Sequence, residues 1–354
     1  MKRTVRSQTG VSLVEVLVAL ALGLVISVGA ISVVMGNRQA YRTTESLARV
    51  QETTRVAFDL MSRDLRSAGI NACSGGVRVM NLLNTPTTRW WSDWTGGLRG
   101  FNDTDAAGAV AIGTAVGQRV NNTDVIQIMR GASDALPVRA HNSTAASATI
   151  GSLSVPATSI ALERPNGQAH AFAPGDLLVV CDYEDTTIFQ VSAIDAASNS
   201  VAHAANTGSP GNCGIKMGFG SSCAAAPVRA FVPGSSVMRF EPVAWFVGNN
   251  GRTGTQSSPT SLYRISVRGN GTGTAAPVVE EVVEGVRDMQ VTYVLGTQYL
   301  TANQITSIPN WELVTGVEIQ LVIESPESGT TSGAATNRLT RTLIHMVNLR
   351  NRVP

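Results

Sequence analysis

Residues 10–35 read GVSLVEVLVALALGLVISVGAISVVM, and that stretch decides the architecture. The 25 residues from Val11 to Met35 are mostly Leu, Val, Ile and Ala, with Gly23 and Gly29, no proline and one charge, Glu15. As a helix they would cover about 37 Å, more than a bilayer's hydrocarbon core of about 30 Å. Lys2, Arg3 and Arg6 lie just ahead, in a basic leader over residues 1–10. The positive-inside rule predicts a cytoplasmic N-terminus and an exported body. A secretory signal peptide has a shorter apolar region of about 7–15 residues and ends at an Ala-x-Ala-like site followed by a break. Here the run is longer, has no such end, and continues into a helical pattern. Glu15 stands out, because a carboxylate inside an apolar span is costly and points to function by default.

Beyond Gly36 the pattern becomes amphipathic. Leu47, Val50, Thr54, Phe58, Met61 and Leu65 recur at three- and four-residue spacing, and Arg49, Glu52, Arg55, Asp59, Arg63 and Asp64 occupy intervening positions. Gly69 is a plausible stop. The apolar stripe predicts a helix half over 36–69 packed on a β-sheet, and it covers too few heptads for a coiled coil. A helix from Val11 to Ala68 would be about 87 Å long.

Gly10-Val11-Ser12-Leu13-Val14-Glu15 resembles the signal of type IV prepilins and of type II secretion pseudopilins. The shared features are a basic leader, a glycine, an apolar residue and a glutamate five positions after the glycine; Val11 departs mildly from the Phe or Met common there. The resemblance implies cleavage by a prepilin peptidase between Gly10 and Val11, N-methylation of Val11, and a role for Glu15 in subunit assembly. Arg55, Leu60, Asp64-Leu65-Arg66, Ala68-Gly69 and Cys73 further resemble the helix end of PilW-type minor pilins. Three later stretches agree: 261–264 (SLYR), 283–293 (VEGVRDMQVTY) and 349–352 (LRNR). This likeness implies a minor pilin without catalytic activity that helps initiate type IV pilus assembly. Its partners would be the peptidase, other minor pilins and the major pilin, a tip adhesin, and inner-membrane lipid before assembly. The body would be periplasmic, and the mature protein would join the pilus fibre or tip. The alternative is a type II secretion minor pseudopilin supporting protein export.

The remaining body is rich in Gly, Ser, Thr, Ala and Asn. Strand-like runs lie at 125–130, 177–181, 188–194, 237–247, 262–268, 278–293, 313–323 and 339–349. In the last but one, Val317, Ile319, Leu321 and Ile323 alternate with polar residues. The expected fold class is α+β: a long N-terminal helix on an antiparallel, pilin-like sheet over 226–354, with 74–225 as a large β-rich insertion. The four cysteines, Cys73, Cys181, Cys213 and Cys223, favour two disulfides in an exported chain. Three connectivities are open; Cys213–Cys223 with Cys73–Cys181 is preferred because the first pair closes a short glycine-containing loop.

No pattern of catalytic or metal-binding residues emerges, and no metal or cofactor is expected. His141, His170 and His203 lie in loop-like composition, and His345 reads as a surface or packing residue of the last strand. The run 269–273 (GNGTG) leads into a strand pattern and not into the helix that a dinucleotide turn requires. The acidic runs Asp182/Glu184/Asp185 and Asp103/Asp105 lack calcium-loop spacing and read as solvated turns. Trp90, Trp91 and Trp94 read as partly core; if exposed, they would anchor a partner. The chain has 27 Lys and Arg against 25 Asp and Glu; loss of Lys2, Arg3 and Arg6 leaves 24 against 25. The basic balance therefore belongs to the leader, and no direct nucleic-acid binding is expected.

Overall fold

The computed structural model describes residues 10–69, 73, 78–94, 96–308, 311–328, 337–350 and 352. The leader cations Lys2, Arg3 and Arg6 lie outside the described residues. One long helix, α1 (Leu13–Arg66), runs through both the apolar and the amphipathic segments without a break. It ends where Gly69 adopts a φ of +69°, a conformation that glycine reaches without a Cβ clash.

The strands are short before residue 226 and, β16 apart, long after it. In chain order they are β1 (Arg78–Asn81), β2 (Leu98–Phe101), β3 (Val125–Gly131), β4 (Leu136–Asn142), β5 (Ala148–Ile150), β6 (Leu153–Val155), β7 (Ser159–Leu162), β8 (Leu177–Cys181), β9 (Asp185–Gln190), β10 (Ala193–Asp195) and β11 (Ser200–Ala202). Then come β12 (Ser236–Asn249), β13 (Thr260–Gly269), β14 (Ala275–Glu284), β15 (Val286–Leu295), β16 (Gln298–Leu300), β17 (Gly316–Ser328) and β18 (Arg338–Asn348). A short helix, α2 (Ala302–Ser307), precedes β17.

β12 is the spine of the larger sheet. Its first residues, Ser236–Arg239, pair antiparallel with β8, and Ser236 and Val237 also pair with β4. Its later residues lie between β3 and β13. Strands from both sides of residue 226 thus share one sheet, and β1 joins it through a parallel ladder with β9. The second sheet has the order β16-β15-β17-β18. The alternation in β17 places Val317, Ile319, Leu321 and Ile323 fully in the core.

Residues 278–293 do not form one strand as their composition predicts. Gly285, with φ +90°, separates β14, which pairs with β13, from β15, which pairs with β17. A Cβ at Gly285 would lie 2.6 Å from the carbonyl oxygen of Glu324. That close approach lets the chain pass from one sheet to the other within one residue. β4, β7 and β11, which hydropathy did not mark, form because β12 and each other supply their ladders.

The outer half of α1 fills the space between the sheets. Val50, Ala57, Met61, Leu65 and Ala68 pack with Ile126, Val243 and Trp245 of the large sheet and with Met289, Ile319 and Val347 of the small one. Each large side chain buried here contributes about 1.5–3 kcal/mol. A second core, with Leu178, Phe189 and Phe231, lies within the β4–β12 region.

Candidate functional site

The helix begins on residues that the sequence had singled out. Ser12 is the N-cap, in extended conformation (φ −76°, ψ 147°). Its Oγ accepts the backbone N–H of Glu15 at 3.2 Å, and Glu15 Oε2 accepts the backbone N–H of Ser12 at 3.2 Å. This reciprocal capping box satisfies two of the otherwise unpaired N–H groups at the helix start and sets the carboxylate against the positive end of the macrodipole. Oε1 of Glu15 has no hydrogen-bond partner among the described residues. Gly10 and Val11 precede the helix and are exposed, and nothing lies within 4 Å of a Cβ built on Gly10.

From residue 10 to residue 45 no side chain is buried, and the first buried residue of α1 is Ser46. The span from Leu13 to Arg38 is therefore an exposed rod of about 40 Å. Its apolar residues point in every direction: Leu13 is 77 %, Leu24 68 % and Ile26 71 % exposed. Among the described residues one helix, containing this segment, is long and apolar enough to cross a membrane. The hydroxyls of Ser27 and Ser32 donate to the carbonyls of Gly23 and Val28 at 2.7 and 2.8 Å. They thus bring no unsatisfied polar group into an apolar surrounding.

At the other end a buried ionic knot fixes the rod to the body. Asp64 accepts Trp245 Nε1–H at 3.0 Å and Arg264 Nε–H at 2.9 Å on Oδ2, while Arg130 Nη2 approaches Oδ1 at 3.3 Å. Arg130 also pairs with Glu241 at 2.6 Å. Hydropathy placed Asp64 among the intervening polar positions. It lies instead on the buried stripe with Ala57, Met61 and Leu65, where an acid requires cationic or N–H partners.

The sulfur atoms of Cys73 and Cys181 are bonded, as are those of Cys213 and Cys223. The first bond joins the chain just beyond α1 to β8; the second packs on the Phe189 core. Trp91 is buried at 5 % exposure, and Trp90 and Trp94 are half-buried against the same cluster, Trp94 with its ring 6.1 Å from Phe240.

Residues 244–350 match the family model described as Type IV Pilus-assembly protein W. Residues 5–31 match the prokaryotic N-terminal methylation motif. No curated protein and no solved structure matches the chain. The two matches fit the pilin and pseudopilin superfamily and a part in pilus-related assembly. The PilW-like domain begins within β12 and contains Trp245 and Arg264, two of the three groups that hold Asp64. It also contains Gly285 and the whole second sheet.

Outside the PilW-like domain, several polar residues are more deeply placed than their sequence context predicts. His141, in β4, and His203 are buried, with their Nε2 atoms 3.1 Å apart. His141 Nδ1 accepts the Phe231 N–H at 2.9 Å. Its proton therefore sits on Nε2 and points at His203, whose own proton must lie on Nδ1. Burial pushes the His141 imidazole down to about 4, and burial, then the neighbouring His141, holds His203 well below the ordinary histidine value. The pair is therefore neutral near pH 7. A metal on His141 Nε2 would require a proton on Nδ1, where the backbone N–H already occupies the lone pair. Among the described residues no group of three or more His, Cys, Asp and Glu is placed to hold a metal ion.

The Asp182/Glu184/Asp185 run is not a solvated turn, whereas Asp103 does sit exposed in a turn. Arg229 is clasped by Asp182, by Glu184 at 2.8 Å and by Asp185 at 3.2 Å, and Asp182 and Asp185 are buried. Burial raises the Asp182 carboxyl, but the N–H of Asp185, Arg229 and the N–H of Glu184 together hold it below its ordinary value. Arg119, fully buried, donates to the carbonyls of Thr123 at 2.8 Å, Asp105 at 2.8 Å and Asp103 at 2.6 Å, and so shapes the loop before β3. The 269–273 run is the β13–β14 turn, in which Asn270 Oδ1 accepts the N–H groups of Thr272 and Thr274 at 2.9 and 3.0 Å.

Proposed function

We propose that this chain is a minor pilin, without catalytic activity, that helps initiate assembly of a type IV pilus. The observation that carries the reading is the helix start: an exposed Gly10–Val11 bond directly ahead of a capped, wholly unburied apolar rod. A prepilin peptidase would cut that bond and methylate the new Val11 amine. Before the cut the rod lies in the inner membrane, with the leader cytoplasmic and the body periplasmic. Afterwards it leaves the lipid to pack sideways in the fibre or its tip, beside other minor pilins and the major pilin. The free Oε1 of Glu15 then serves a neighbour's terminal amine, since a charge taken from water needs a partner. In this reading residues 74–225 are an insertion whose strands have joined the sheet built on 226–354.

Mass spectrometry of the protein purified from its own cells tests the proposal. The expected species begins at Val11 and carries one methyl group on its amine. An intact Met1, or a cut at any other bond, overturns it. Co-purification of the major pilin is expected in the same sample.

A further inference from the structure

The outer end of α1 carries a polar groove that the assembly rod does not use. Its walls are the last turns of α1, the turn after β3 and the end of β18. Arg55, Arg63 and Arg66 stand along one side of the helix, and Arg350 faces them from beyond β18; all four are exposed. None of the four has a carboxylate partner among the described residues. The cleft between them encloses about 700 Å³, far more than one small anion fills. Ser62 lines it and is only 5 % exposed, yet its Oγ has no hydrogen-bond partner. The Nε of Arg130, also on the lining, is equally unpartnered. Phe58 and His345, with ring centroids 5.0 Å apart, add an apolar wall.

Cations in a helix's last turn favour its macrodipole, which accounts for Arg63 and Arg66. It accounts neither for Arg55, about two turns earlier, nor for Arg350 on another element. Nor does it explain a buried hydroxyl left unpaired, which costs free energy unless something supplies the missing partner.

We infer that this groove binds an acidic polypeptide segment. Carboxylates match guanidinium forks in geometry and charge. Membrane headgroups are out of reach: Arg55 is 20 residues past Met35, about 30 Å further along the helix. A nucleic-acid backbone fits poorly, because the carboxylate of Asp59 stands in the groove between Arg55 and Arg63. Phosphodiesters have no donor to offer it, whereas peptide N–H groups do. The apolar wall suits side-chain stems. The groove presents the same chemistry whichever apparatus the helix enters.

Fluorescence anisotropy on the full chain in detergent micelles tests the inference, with a labelled oligoglutamate peptide, an oligoglutamine of equal length and a single-stranded oligonucleotide of equal charge. Saturable binding of oligoglutamate and none of oligoglutamine are expected at physiological ionic strength. Arg63→Glu with Arg66→Glu should weaken binding at least about tenfold, the effect of losing roughly 1.4 kcal/mol or more in charge-assisted contacts. Ser62→Ala should weaken it roughly threefold. Arg139→Glu, an exposed site away from the groove, should leave it unchanged. The charge variants lose a favourable dipole contact and should melt somewhat lower than the parent; a cooperative transition well above the assay temperature shows that lost binding is not lost fold. Absence of saturable binding, an equal effect of Arg139→Glu, or tighter binding of the oligonucleotide overturns the inference.

Discussion

Asp64 lies two residues from the C-terminal end of α1, where the macrodipole disfavours an acid. Three donors on three strands, β3, β12 and β13, offset that cost, and so the residue couples helix to sheet. Asp64→Ala would leave Arg264 and Trp245 Nε1 without their partner in a buried place. The expected loss is about 3–5 kcal/mol, seen as a lowered urea midpoint; an unchanged midpoint would show that water replaces the carboxylate. The knot was half legible. Asp64 and Arg264 both stand in stretches that resemble PilW-type pilins, but hydropathy alone counts an acid as a surface residue. The usable signal was position: Asp64 is three residues after Met61 and seven after Ala57, on the stripe. The His141–His203 pair had no such signal, because 62 residues separate its members and each lies in polar company. Its consequence can be measured. With His141 held near 4 in the fold and at 6.5 in the unfolded chain, stability is complete above pH 6.5 and falls as acid protonates the unfolded chain, by about 3 kcal/mol down to pH 4. Urea midpoints between pH 7 and 5 should decline accordingly, and His141→Leu with His203→Leu should flatten that decline.

Among the elements, α1 and the C-terminal strands were readable because their information is local. A period of 3.6 gave the stripe and a period of 2 gave β17, and both faces lie where those periods put them. The break at Gly285 was not readable, since Val, Glu and Tyr on either side of it all suit one long strand. What divides β14 from β15 is the carbonyl of Glu324, which is distant in sequence. Gly285→Ala would bring a Cβ to within 2.6 Å of that oxygen at a φ that costs an L-residue about 1–2 kcal/mol. A total loss of roughly 2–4 kcal/mol is expected by thermal or urea unfolding, from strain and overpacking together. Gly296→Ala, also at positive φ but with open space around it, should cost only the conformational part.

In the whole molecule, one helix and two sheets enclose a common core, and β12 links that core to the β-rich region before it. The α+β class was legible. The strand order before residue 226 was not, because strands of three to seven residues acquire their register from β12 and from one another and not from their own composition. The bond between Cys73 and Cys181 spans 108 residues and fastens the chain directly after α1 to β8, the strand beside β12. Tension applied along the rod therefore has a covalent route into the middle of the large sheet. It bypasses the turns, short strands and loops between those two cysteines, so a pull that would otherwise peel them away in sequence is shared across the β8–β12 ladder. Load drawn along the helix thus enters the large sheet at β8, beside its spine.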